Sequence, residues 1–152
     1  MFLTVTAFSM AQRFLGMKEV SGSVDNPAIL AMLRLDASWP QADEVPWCSA
    51  FVNYICWLLR LPRSKSLRAR SWLLVGEVVN LDMAVVGFDV VIFSRGSNAP
   101  GPEVIQALGH VAFFAGLDGD RVYALGGNQS DGVNVSQSPR SQVLGVRRLA
   151  IQ

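Results

Sequence analysis

The chain has 152 residues, enough to bury the core of one domain without covalent staples. Hydrophobic residues make up 51% and charged residues 16%, which excludes a disordered chain. Net charge is +1, with Arg and Lys spread along the sequence, and this argues against a nucleic-acid partner or an anionic membrane surface.

In chain order, Met1 to Met10 carries neither a basic n-region nor a cleavage site, so no signal peptide is expected and synthesis in the cytoplasm is. Ala7, Met10, Ala11, Phe14 and Leu15 recur at helical spacing until Gly16 stops the pattern. Ser21-Gly22-Ser23 reads as a loop. Asp25 or Asn26 can cap a second helix with Pro27 at its first position and Ile29, Leu30, Met32 and Leu33 inward. Asp36 to Pro46 is polar, punctuated by Pro40 and Pro46, and expected to be irregular.

A third helix is predicted from about Cys48 to Leu59. Ala50, Phe51, Tyr54, Ile55, Leu58 and Leu59 give it an apolar stripe wide enough for burial, and Leu61-Pro62 ends it. Ser66 to Gly76 reads as a short fourth helix with Trp72 and Leu73 inward. Arg60 to Arg70 holds five basic residues and reads as a solvated face.

After Gly87 the period changes. Phe88 to Phe93, His110 to Ala115 and Arg121 to Leu125 are predicted strands, with the Asp118-Gly119 pair marking a hairpin. Gly132 to Val135 and Val143 to Leu149 are further strand candidates. Helices first and antiparallel strands after make an α+β layout, with a helical part over about 1–80 and a sheet part over about 86–152 of a single domain, 1–152. No apolar run approaches the ~20 residues that span a bilayer, so no membrane insertion is expected.

The cysteines, Cys48 and Cys56, stand eight steps apart on one predicted helix, about 12 Å along its axis. A disulfide needs Cα atoms within about 7 Å, so they cannot pair, and a reducing compartment is expected for folding. Cys48 opens that helix, where unpaired N–H groups and the positive dipole end lower a thiol's pKa and could hold an oxyanion. Cys56, deep in the helix, reads as packing. His110 is the sole histidine and the natural base for a thiol nucleophile.

A third group must orient the imidazole. If Asp118 and Gly119 are the central turn residues, His110 faces Gly127. Asn128 then reaches the histidine's face only through a bulge at Gly126-Gly127, while Gln129 lies on that face by alternation and is the rival. Asp131 reads as solvated, and Asp89 as a strand-edge aspartate making backbone hydrogen bonds. One histidine and two cysteines at this spacing match no usual zinc site, so neither a metal nor another cofactor is expected. From the residues alone, a non-catalytic domain remains the alternative to a Cys-His hydrolase.

The segment Glu44-Val45-Pro46-Trp47-Cys48-Ser49-Ala50-Phe51-Val52 resembles the nucleophile motif of the CHAP and NlpC/P60 peptidoglycan hydrolases, and the chain looks like a compact, endolysin-like phage or bacterial branch of them. Typical of that branch are Ala11, Phe14, Gly16, Lys18 and Glu19; Ala69 to Trp72; Gly109 to Phe113; and Leu125 to Gln129. One departure is Phe88 between Gly87 and Asp89, where the family has Gly and Asp adjacent. The resemblance implies a papain-like fold, N-terminal helices packed on a small antiparallel sheet. It implies Cys48 as nucleophile, His110 as base and Asn128, or its rival Gln129, as third member. The implied reaction is cleavage of an amide bond in the peptide stems of bacterial peptidoglycan, with an endopeptidase favoured over an N-acetylmuramoyl-L-alanine amidase. Trp47 could line the substrate groove or simply pack, and Glu44 could contact a substrate amino group or be solvated. A monomer acting at the cell wall or periplasm after release or delivery is expected.

Overall fold

The computed structural model describes residues 3–20, 26–36 and 46–150. Glu44, Asp25, Pro40 and the Ser21-Gly22-Ser23 loop lie outside them. The first helix, α1 (Ala7–Ala11), begins at a capping box in which Thr6 and Ser9 each accept the other's backbone N–H. Helix α2 (Pro27–Leu33) is capped by Asn26, whose Oδ1 accepts from the Ala28 and Ile29 N–H groups, with Pro27 at its first position. The long helix α3 (Cys48–Leu59) ends where Arg60 turns left-handed.

Six strands then form one antiparallel sheet among the described residues: β1 (Glu77–Val79), β2 (Asp89–Ser94), β3 (Gly109–Asp118), β4 (Arg121–Gln129), β5 (Gly132–Pro139) and β6 (Val143–Arg148). Their order across the sheet is β1-β6-β2-β3-β4-β5. The α+β architecture follows the sequence pattern, but three details differ. The fourth helix is a 3-10 segment, Ala69–Leu74. The short strand β1 carries no sequence signal, since three residues are too few for alternation to register. The β3–β4 turn is centred on Gly119-Asp120, because Asp118 pairs with Arg121.

Alternation along the strands buries both faces of the sheet. Val111, Phe113, Val90, Ile92 and Leu125 face α3, packing with Phe51, Ile55 and Trp72. Val91, Phe93, Ala112, Phe114, Val122, Ala124 and Val146 form a second core on the other face. Asp89, at the start of β2 and 1% exposed, accepts two hydrogen bonds from Arg148 at the end of β6 and one from the Val85 N–H. Its role is that of a tie between strands.

Two further devices fix α3. Gly127 of β4 lies so close to it that a Cβ there would stand 2.5 Å from the Trp47 ring and 2.9 Å from Phe51. On the opposite side of the helix, Asn53 Nδ2 donates to the Ser66 carbonyl and Asn53 Oδ1 accepts from the Lys65 N–H, while Trp72 Nε1 donates to Ser49 Oγ. The basic segment is therefore not uniformly solvated. Arg70 is fully buried, with its guanidinium donating to the carbonyls of Pro100, Gly101, Val104 and Leu108 in the β2–β3 connection. Those carbonyls partner Nε and Nη1 of the desolvated cation, while Nη2 is buried without a hydrogen bond. Finally, residues 16–19 run beside the start of β5, with hydrogen bonds Gly16 N–H to Val133 O, Val133 N–H to Met17 O and Glu19 N–H to Asp131 O.

Candidate active site

The β3–β4 ladder runs from the hairpin to the Phe113–Leu125 pair and stops there. The stretch of the two strands beyond that point carries His110 and Gln129. Cys48 arrives from the helix side at the first position of α3, whose preceding residue, Trp47, provides no side-chain cap. The N–H groups of Cys48 and Ser49 are thus turned to the thiol, as is the N–H of Val111, the neighbour of His110. His110 approaches from the other face, beside Phe93 at a ring separation of 6.2 Å.

The side chain bonded to His110 Nε2 is that of Gln129. Its Oε1 lies 2.8 Å from His110 Nε2, and its Nε2 donates to the Asn134 carbonyl at 2.7 Å and to Asn134 Oδ1 at 3.1 Å. Those two bonds set the amide so that the oxygen faces the histidine. Asn134 Nδ2 donates back to the Gln129 carbonyl, and Ser136 Oγ donates to Asn134 Oδ1. The expectation that Asn128 turns onto His110 is corrected. A bulge does lie between Gly126 and Gln129, with Asn128 at φ 58, but it absorbs Asn128 itself and delivers Gln129 to the imidazole. Among the described residues no hydrogen bond joins Asn128 to His110.

Arg95, just past β2, completes the arrangement. Its Nη2 lies 2.9 Å from His110 Nδ1. A guanidinium has no acceptor, so it donates, Nδ1 holds a lone pair, and the ring proton sits on Nε2 donating to Gln129. Both nitrogens are committed, and no hydrogen bond joins them to the thiol. Burial pushes the His110 imidazole down to about 4, with the Arg95 charge acting the same way and the Gln129 bond opposing it. Burial also pushes the Cys48 thiol up, against the Val111, Ser49 and Cys48 N–H groups and the Arg95 charge. This overturns the expectation of a lowered Cys48 pKa: at 5% exposure desolvation outweighs the helix terminus. The Cys48 thiol and the His110 imidazole both rest neutral.

Trp47 is fully buried, its Nε1 donating to Glu19 Oε1 at 2.6 Å and its ring against Gly127. Fully buried, it packs rather than lining a groove, a further correction. Glu44 lies outside the described residues. Among the described residues no group of three or more His, Cys, Asp or Glu side chains converges where a metal ion could be held. Sequence reasoning missed Arg95, Asn134 and Ser136. The pairing of Phe93 with His110 leads to Arg95 and that of Gly126 with Asn134 to Asn134, with Ser136 bonded to it, and that register is the signal that could have found them. A polar cleft of about 300 Å³ opens at this point, lined by Phe93, Ser94, Arg95, His110, Ser138 and Gln142.

No protein-family model matches the chain, and no curated protein is similar enough to match it. Among solved structures, that of NlpC1 from Trichomonas vaginalis aligns with the whole chain at a TM-score of 0.59 and 14% identity. The chain spans 47% of the length of that protein. At this identity the likeness shows the fold, which is α+β and NlpC/P60-like.

Proposed function

We propose that the chain is a cysteine hydrolase that opens an amide bond in the peptide stems of bacterial peptidoglycan, with endopeptidase action favoured over amidase action. The observation that supports this most is the position of Cys48 at an uncapped helix N-terminus, its thiol by the N–H of Val111 and so one residue along β3 from His110, whose Nε2 is held by Gln129. In this reading Cys48 Sγ attacks the carbonyl carbon, and its proton passes to His110 Nδ1, the ring nitrogen not bound to Gln129. The Cys48 and Ser49 N–H groups hold the oxyanion. Collapse expels the amine, protonated by Nδ1–H, and leaves a thioester that water hydrolyses with His110 again as base. Gln129 holds the ring and stabilises the imidazolium through its carbonyl oxygen, as the orienting member of a triad does.

The test is digestion of purified cell wall with wild type and Cys48→Ala, with new amino ends identified by mass. Wild type should release stem fragments with new amines, and Cys48→Ala none. The burial of Cys48 and its raised pKa favour a second reading, a non-catalytic wall-binding or virion structural domain. Under that reading wild type and Cys48→Ala sediment equally with wall and neither releases fragments.

A further inference from the structure

The bond from Arg95 satisfies the buried Nδ1 of His110, but nothing on the Arg95 side holds the guanidinium there. Arg95 is exposed, and among the described residues it has no acidic partner. An exposed arginine of that kind normally extends into water, yet this one lies across the nitrogen that the proposed reaction requires as base. It also lines the polar cleft beside His110, where Ser138 and Gln142 offer a hydroxyl and an amide. A cation, a hydroxyl and an amide around one small cavity match a carboxylate.

We propose that Arg95 is the specificity-determining residue of this site: it selects substrates bearing a carboxylate next to the scissile amide, and by swinging from His110 to that carboxylate it frees the base. The inference rests on the hydrolase reading for its catalytic part and deepens it. A guanidinium bound to a neutral imidazole makes one charge-to-neutral hydrogen bond. A carboxylate offers two parallel charge-assisted bonds, each about twice as strong as a neutral one. The exchange therefore favours the substrate, while an uncharged amide leaves Arg95 where it is. Pairing with the carboxylate also cancels the positive charge that disfavours an imidazolium at His110. Ligand recognition and base release become one event, and the resting protein is protected from idle thiol chemistry.

His110 is the sole histidine, so its ring nitrogens can be followed by nuclear magnetic resonance without assignment. The full chain is titrated with N-acetylglycine and, separately, with uncharged N-acetylglycinamide, in wild type, Arg95→Gln and Cys48→Ala. The expected result is a saturable shift of the Nδ1 signal with N-acetylglycine alone, in wild type and Cys48→Ala, and none in Arg95→Gln. Equal responses to the two ligands, or an undiminished response in Arg95→Gln, overturn the proposal. On stem peptides, amidating the carboxylate beside the cleaved bond should lower kcat/KM about tenfold in wild type, the loss of about 1.4 kcal/mol, and leave Arg95→Gln nearly indifferent. If wall is not cleaved but the Nδ1 signal responds to carboxylate, the hydrolase reading falls and the carboxylate site stands. If wall is cleaved while His110 ignores carboxylate, the present inference alone falls.

Discussion

At the level of single residues, His110 carries two bonds of different character, and each predicts a different experiment. Gln129 is anchored on both sides, by His110 and by Asn134. Gln129→Ala leaves the imidazole N–H and the Asn134 carbonyl without their Gln129 partners and should cost about 1–3 kcal/mol of stability, read from the urea midpoint. The same change should lower kcat/KM on wall fragments by at least about a hundredfold, whereas Asn128→Ala should stay within about twofold of wild type. The imidazole also makes stability depend on pH. Folded, it titrates near 4; unfolded, it titrates near 6.5. As pH falls the unfolded chain takes up the proton first, so this contribution is whole above about 6.5 and declines until about 4, by on the order of 3 kcal/mol. His110→Gln should flatten that part of the profile, as measured by urea unfolding at pH 7 and pH 4.5, while the carboxylate contributions remain in both proteins.

At the level of elements, α3 was legible because Pro46, an apolar stripe and Leu61-Pro62 bracket it, and its bounds Cys48–Leu59 match the pattern. The strands after Gly87 were legible from their β-branched and aromatic residues. Register was not. The Asp118-Gly119 pair signals a hairpin but does not fix which two residues occupy its centre, and a further shift lies between Phe114 and Gly116. Such shifts answer to packing across the sheet, which a local pattern does not encode, and so the choice between Asn128 and Gln129 stayed open. The same holds for Trp47 and Arg70, whose burial depends on Glu19 and on carbonyls some thirty residues away. Gly127→Ala tests how tightly β4 and α3 are matched: the added methyl has no room beside Trp47 and Phe51, and a cost of about 1–3 kcal/mol is expected in thermal unfolding. Arg70→Met keeps the stem and removes the donors. It should free the β2–β3 connection, seen as faster amide exchange over residues 100–108, with a loss of about 3 kcal/mol.

At the level of the whole molecule, the sheet is shared by two cores, one beneath the helices and one on its far face. Neither core can open without exposing the other side of the same strands. We expect one cooperative transition, in which tryptophan emission from buried Trp47 and Trp72 and far-ultraviolet circular dichroism change together; two separated midpoints would count against this coupling. A sheet of this kind presents two outer strands with backbone groups available to a neighbouring molecule, which is how sheets recruit one another into aggregates. On one flank β1 offers only three residues, Glu77–Val79. On the other, residues 16–19 already occupy the start of β5 through Met17, Gly16 and Glu19. The segment that supplies the Trp47 acceptor thus also covers the first residues of β5, the strand that carries Asn134 of the His110–Gln129 network, so an incoming strand finds that end of the edge already taken.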